Sequence, residues 1–481
     1  MEQYVKKAGD VIMKKTKIIC SIGPASCGVD VMTRMVNAGM NVARINFSHA
    51  TLEEKQNVVA AVKEVRRATG KKIGILYDTK GPEFRNGIVE NGEISLVEGK
   101  TIRIVKENVV GNEQRFSVNH PGAIASLKVG DDILLENGLM KIQVISVEED
   151  GVTCVILNGG QLGDRKSLSV PGVELDIPFV SEQDREDIIY ACHHDGNFIA
   201  LSFVSTKEDV LEVKEILKQE HREDMKLIAK IESQTGIDNL DEIIPEVSGI
   251  MVARGDLGVE VPMYELPILQ KMMIRKCREQ GKIAIVATEM LESMKKNARP
   301  TRAEVSDISN AVLDGTDAVM LSGETTLGKY PVETVSYMAG ICNYAEQNYN
   351  YKKKFEDLRR ESITRTIAHS VVEAAHVLDV KAIIAPTMSG YTAKRISNLK
   401  PRSVILAGCT DEDVACSLSL NWGVYPFVLP VYESINEVMQ HAEEAAKNIA
   451  DLQKGDTIIL TGSFSSRLEP ATTNLMTIDK I

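Results

Sequence analysis

Nowhere in the 481 residues do two cysteines form a CxxC pair, and the 8 thiols lack the Cys/His spacing of a metal site. That argues against a disulfide scaffold or a cysteine metal centre and fits buried thiols in a reducing cytosol. No apolar stretch reaches membrane length, and the opening residues MEQYVKKAGDVIMKKTK contain no apolar core of signal-peptide size. Positive charge is in deficit: 56 Lys and Arg face 68 Asp and Glu, a net charge of -12. The deficit argues against nonspecific binding of nucleic acid or an anionic membrane. An anionic small substrate needs only a local cluster of cations and stays open. Together these absences predict a cytoplasmic protein with no nucleic-acid or membrane partner.

What is present is the composition of a soluble globular chain, 43% apolar and 26% charged, long enough for two or three domains. From Lys17 to Ser322 short apolar runs alternate with longer amphipathic stretches, the pattern of βα units around a parallel sheet. The runs are KIICSI, VARINF, KIGILYDT, FIALSFV, LIAKIE, GIMVARG, AIVATEM and DAVMLS. Their number is the one that closes a (β/α)8 TIM barrel. One connection is far too long for a helix alone. Between DTKGPEF and IPFVSEQD the residues alternate between Gly/Asn/Asp turns, predicting a small antiparallel β-barrel or sandwich inserted into the third βα loop. Active sites of such barrels are built from these loops, so the insertion sits where a lid belongs. After about Lys352 the alternation restarts as a separate α/β domain. The expected division is a discontinuous barrel (1–81 and 172–345), a β-rich lid (82–171) and a C-terminal α/β domain (346–481), with the charged stretch NYNYKKKFEDLRRES as linker.

The apolar runs repeatedly end in charge. The second closes with Arg44, Asn46 and Ser48 alternating onto one face, the third with Asp78 and Thr79, the fifth with Lys230 and Glu232 two residues apart. The sixth ends in RGDLG, carrying Gly255 and Asp256, and the seventh in Thr288 and Glu289. Glu232 and Asp256 are hard oxygen ligands from adjacent strands. Two carboxylates are about what Mg2+ takes when water and a phosphorylated substrate complete its octahedron. Arg44 supplies a fork for an anion and Lys230 a point charge. The set suits an anion whose charge moves, as in phosphoryl transfer. Asn46, Ser48, Asp78 and Thr79 form a second oxygen cluster with one formal charge, matched to a monovalent cation.

Taken singly, each residue has a plain structural reading. Lys230 and Glu232 could be an ion pair closing the barrel, Asp256 a turn or helix cap, Arg44 a structural pair, and His49 a satisfied local hydrogen bonder. Convergence on one rim favours chemistry.

With these residues in place the sequence resembles the pyruvate kinase family over nearly its whole length. LIAKIESQTGI, ARINFSH, DTKGPE-R, MVARGDLG, PTRAEVSDISNAVLDGTDAVMLSGETT-G-YP and the C-terminal SG-TA carry the resemblance, in the family's order. It implies phosphoryl transfer from phosphoenolpyruvate to ADP, giving pyruvate and ATP as the last step of glycolysis, in a homotetramer under allosteric control. By motif position it implies Mg2+ on Glu232 and Asp256. Arg44 and Lys230 would meet the transferring group. The backbone of Gly255 and Asp256, with the Thr288 hydroxyl, would hold the substrate carboxylate. Thr288 with a water would deliver the proton to the enolate. K+ would lie on Asn46, Ser48, Asp78 and Thr79, and nucleotide contacts on Asn46, Phe47, Ser48, His49, Arg85 and Lys166. In this family a glutamate at the position of Glu83 accompanies K+ dependence. The C-terminal APTMSGYTAKR matches an effector-phosphate loop, with Thr387, Ser389 and Thr392 offering hydroxyls to a sugar phosphate or nucleotide, and Arg467 facing it. The chain departs from the family at Ser205 for arginine, Glu289 for glutamine, Glu136 and Asn137 for paired aspartates, and KSLSVPG for KGVNLPG. Two other readings stay open: a metal-enolate aldolase or lyase, which needs neither nucleotide lid nor K+ site, and a catalytically weak paralogue serving as a metabolite sensor.

Overall fold

The computed structural model describes residues 13–48, 50–351, 362–432, 434–463 and 473–481. Eight strands close a parallel barrel in sequential order. They are Lys17–Ser21, Val42–Asn46, Gly74–Asp78, Phe198–Leu201, Lys226–Ile231, Gly249–Ala253, Ile283–Ala287 and Ala318–Leu321, counted here from first to eighth. Each corresponds to one apolar run of the sequence. The first, third, fourth, sixth, seventh and eighth are buried at every position, as strands covered on both faces must be.

The intervening helices carry their own punctuation. Thr51, Thr206 and Thr301 each cap a helix in a reciprocal box with the acid three residues on (Glu54, Asp209, Glu304), satisfying amides that the first turn leaves orphaned. The helix Leu266–Gln280 stops at Gly281, whose φ of 69° a residue with a Cβ adopts only at a cost.

The β-rich insertion has its own apolar core, from Phe84 to Val170. Its strands make a six-stranded sheet and a two-stranded ribbon; the ladders are antiparallel except between Thr101–Val105 and Arg115–Ser117. The C-terminal domain is a five-stranded sheet. Its strands Ala382–Ile384, Val404–Cys409, Val424–Val428 and Thr457–Gly462 are parallel, and Leu475–Lys480 is antiparallel at the edge.

Two compact units divide the chain: residues up to Tyr77 with His193–Ile199 and Met273–Ile481, and Asp78–Cys192 with Ala200–Met272. All eight cysteines are free thiols, seven of them buried. Among the described residues no helix is long and apolar enough to cross a membrane.

Candidate active site

In the second unit the fifth strand delivers Lys230 and Glu232 onto one face, as their spacing requires. Lys230 Nζ lies 3.1 Å from Glu232 Oε1 and 3.2 Å from Asp78 Oδ1, and donates to Ser202 Oγ at 2.7 Å. The two carboxylates are only 1% exposed. Burying two acids is tolerable here because the ammonium lies between them.

Glu232 Oε2 accepts the Phe203 amide at 2.7 Å. Among the described residues Oε1 is buried and accepts no hydrogen bond, and the Lys230 ammonium lies 3.1 Å from it. Burial, opposed by Lys230 and reinforced by Asp256, pushes the carboxyl up to about 7. A hard, buried oxygen with a spare lone pair fits a divalent cation. Among the described residues no three acids, histidines or cysteines gather as a ready-made cage. Glu232 and Asp256 could at most offer two carboxylates to such an ion, with substrate and water needed for the remaining positions.

Asp256 is exposed at the start of the short helix Arg254–Glu260, directly after the sixth strand. Glu232 and Asp256 line one cavity of about 450 Å3 together with Glu83, Arg85, Glu136 and Lys166 from the inserted domain's side. Both of its cations are held by acids. Arg85 donates twice to Glu83, at 2.8 and 2.9 Å, and Lys166 lies 2.6 Å from Glu136. The bond to Glu83 raises the already high Arg85 pKa further, keeping the guanidinium charged. Glu136 and Asn137, which stand where the resembled pattern has paired aspartates, form a turn with left-handed φ of 47° and 56°, and Glu136 lies against Lys166. Ser205, another departure in this wall, has its hydroxyl 3.2 Å from that of Ser233, and Ser167 and Ser169 of KSLSVPG line the same cavity.

In the first unit Arg44 is nearly buried at the end of the second strand, with one guanidinium nitrogen donating to Ser21 Oγ at 2.7 Å. Thr288, immediately after the seventh strand, has φ of 67° and Glu289 has 52°. A β-branched residue in that region is strained by roughly 1–3 kcal/mol and persists only where its surroundings enforce it. Its hydroxyl contacts the Ala287 carbonyl at 2.6 Å.

The oxygens assigned to a monovalent ion divide between the units. Asn46 Oδ1 accepts the Ser48 amide at 3.0 Å in the first. In the second, Thr79 Oγ1 accepts the Ser202 amide at 3.1 Å, and Asp78 is engaged by Lys230 and Ser202. Phe47 is 6% exposed, stacked on Tyr77 at 5.0 Å with the Lys55 ammonium 4.2 Å from its ring, so its side chain serves the core. His49 lies outside the described residues, as does Arg467.

In the C-terminal domain Gly390 caps the helix Tyr391–Asn398 with φ of 77°; a Cβ there would meet Leu418 at 2.8 Å. Thr387 is half-buried and Ser389 exposed beside this helix start, while the Thr392 hydroxyl is buried against Thr473 at 2.7 Å.

Ser202 is the residue that sequence reasoning missed. Its hydroxyl touches both Lys230 and Asp78 and donates to the Thr79 carbonyl at 2.7 Å, tying the third and fifth strand ends to the fourth. The available signal was a lone serine inside the otherwise apolar run FIALSFV.

Residues 13–335 match the family description "Pyruvate kinase, barrel domain" and residues 365–478 "Pyruvate kinase, alpha/beta domain". Pyruvate kinases of Bacillus licheniformis and Geobacillus stearothermophilus are each 43% identical to this chain, over 97% of it and 80% of their own length. A crystal structure of a pyruvate kinase from Cryptosporidium parvum superposes with a TM-score of 0.92 at 36% identity, covering 97% of this chain and 96% of that one. With a closed eight-stranded barrel, a sheet-rich insertion and a C-terminal α/β domain, the chain belongs to the pyruvate kinase family of phosphotransferases.

Proposed function

We propose that the chain transfers the phosphoryl group of phosphoenolpyruvate to ADP in a Mg2+- and K+-dependent reaction, the last step of glycolysis. The observation that carries this reading is the half-buried Lys230 ammonium beside the buried Asp78 and Glu232, the latter with an oxygen that accepts no hydrogen bond among the described residues. Glu232 and Asp256 would hold Mg2+, which when bound neutralises charge on the substrate and the transferring group.

This chain's own groups do the rest. The Gly255 and Asp256 amides and the Thr288 hydroxyl bind the carboxylate of phosphoenolpyruvate and fix its orientation. Arg44 and Lys230 hold the phosphoryl oxygens. Lys230 is held in advance by three oxygen partners, so its charge costs little reorganisation when negative charge spreads over the group in transit. Arg85 and Lys166 exchange Glu83 and Glu136 for nucleotide phosphates. Once the enolate is released, Thr288 and an ordered water hold the proton that carbon takes up.

The same exchange bears on K+. While Arg85 is clamped to Glu83, that carboxylate is balanced. When Arg85 turns to the nucleotide, Glu83 loses its counter-charge, and a cation held by Asn46, Ser48, Asp78 and Thr79 restores it. We further propose a cytoplasmic homotetramer, with a phosphorylated effector held at Thr387, Ser389 and the Thr392 turn.

A coupled assay of ADP-dependent pyruvate release, run with and without K+ and Mg2+, tests the reading. Turnover that needs ADP and both ions supports it. Pyruvate formation without ADP would point to a lyase, and binding without turnover to a metabolite sensor.

A further inference from the structure

The mechanism leaves unused an ion pair buried deep in the first unit. Lys400 follows the helix Tyr391–Asn398 of the C-terminal domain, and its Nζ lies 2.5 Å from Asp317 Oδ1 and 3.4 Å from the Thr316 carbonyl. The two side chains are 2% and 5% exposed. The Lys400 ammonium also stands 5.1 Å from the Trp422 ring, and its backbone is left-handed, with φ of 50°. Burying an ammonium in a strained backbone is costly, and an apolar side chain of similar volume is often as stable or more so. Packing alone does not explain the choice.

Asp317 sits where three barrel strands begin. Its amide donates to the Ala284 carbonyl at 2.8 Å, its Oδ2 accepts the Ala284 amide at 2.9 Å, and its carbonyl accepts the Lys17 amide at 2.9 Å. Thr316 Oγ1 adds a bond to the same Ala284 carbonyl at 2.8 Å. Ala284 is thus gripped on both its amide and its carbonyl, and it is the second residue of the seventh strand, Ile283–Ala287. The other side of that strand's start is held by the same C-terminal helix, through Asn398 Nδ2 on the Gly281 carbonyl at 3.0 Å. Four residues beyond Ala284, directly after the strand, stands the strained Thr288.

We propose that Lys400, through Asp317 and Ala284, is a positioning residue by which the C-terminal domain seats the seventh strand and holds Thr288 where it meets substrate. The inference rests on the reading of Thr288 as a contact to the phosphoenolpyruvate carboxylate. Misplacing such a contact by a fraction of an ångström lowers turnover efficiency by about five- to fiftyfold. A merely structural pair would change unfolding and leave kinetics below the unfolding range alone.

The test uses the full-length enzyme as Lys400→Met, the double variant Lys400→Met with Asp317→Asn, and Thr288→Val. The double variant removes both charges, so no carboxylate is left buried and unpaired, and it serves if the single variant does not fold. Each is assayed well below its unfolding midpoint for kcat/KM on phosphoenolpyruvate and for KM on ADP. Expected is a fall of at least fivefold in kcat/KM for phosphoenolpyruvate in all three, with KM for ADP within twofold of the parent. Parental kinetics in the double variant, whatever its stability, would overturn the proposal while a defective Thr288→Val keeps the site reading intact. Parental kinetics in Thr288→Val would remove that reading and the proposal together.

Discussion

Replacing Lys230 by methionine keeps the length and much of the apolar stem of the side chain and removes its charge. In the parent the ammonium stands 3.1 and 3.2 Å from two carboxylates that are each 1% exposed. At an effective dielectric of about 20, each contact is worth roughly 5 kcal/mol of Coulomb attraction before desolvation is subtracted. Losing the partner of a buried acid costs a protein about 3–5 kcal/mol. The metal-free variant is therefore expected to unfold at lower denaturant, and Mg2+ to stabilise it more than it stabilises the parent, because the metal then supplies the charge opposite Glu232 that the ammonium no longer does. Catalysis suffers differently. If Lys230 meets charge that develops only in transit, kcat falls about 10²–10³-fold, roughly 2.7–4 kcal/mol, with KM for phosphoenolpyruvate changed little. Steady-state kinetics at saturating Mg2+ and K+, beside denaturant titrations with and without Mg2+, read both effects. A variant of normal kcat and lowered stability would refute the transition-state role and leave Lys230 as a structural ion pair.

Other outcomes follow from the same contacts. Ser202→Ala removes one of the three oxygens that aim Lys230 and should lower kcat by about three- to tenfold, roughly 0.7–1.4 kcal/mol or about one ordinary hydrogen bond, without altering KM for ADP; equal kcat would show that Asp78 and Glu232 aim the ammonium unaided. Turnover should collapse in buffer free of K+ and Na+, and Glu83→Lys should reduce the dependence; full activity without either ion would refute the monovalent site. Glu136→Gln frees Lys166 and should lower KM for ADP about two- to fivefold, an upper limit set by the modest value of a partly exposed pair; an unchanged KM would mean that Lys166 does not meet the nucleotide. Lys14, buried beside Asn41, has its pKa lowered to about 8 by desolvation, whereas in the unfolded chain it stays near 10.5. Between those values the unfolded chain binds the extra proton, so the penalty is full below pH 8 and is relieved as pH rises. Parent stability minus that of Lys14→Met should climb by up to about 1.4 kcal/mol per pH unit across that window; a flat difference in denaturant titrations would refute it.

How legible these features were in the sequence depends on how local they are. The barrel strands stood out because a strand covered on both faces must be continuously apolar, and because charge at its end breaks that rule visibly. Lys230 and Glu232 were readable as neighbours since two residues along a strand return to the same face. Glu83 and Arg85 share that spacing, yet their bidentate pairing depends on a backbone path through GPEFR that residue type does not specify. Ser202 is a common small polar residue at a strand end, and nothing local distinguishes one that aims a lysine from one that caps a turn. The left-handed Thr288 is invisible for the opposite reason: β-branched residues avoid that region, and only the finished fold imposes it. Lys400 and Asp317 lie 83 residues apart, one at the end of the helix-like TAKRISNLK and the other at the start of the run DAVMLS, and nothing local pairs them. Phe47, drawn into the nucleotide set by its motif, is packed against Tyr77 because the third strand's aromatic face needs covering.

The reading stands or falls on whether Glu232 and Asp256 share an ion beside Lys230. Crystals grown with Mn2+ and oxalate, a mimic of the enolate, should give an anomalous peak within about 2.0–2.3 Å of a carboxylate oxygen from each residue, the range for hard cations on oxygen. Manganese bound elsewhere, with Glu232 Oε1 still facing only the lysine, would contradict the account.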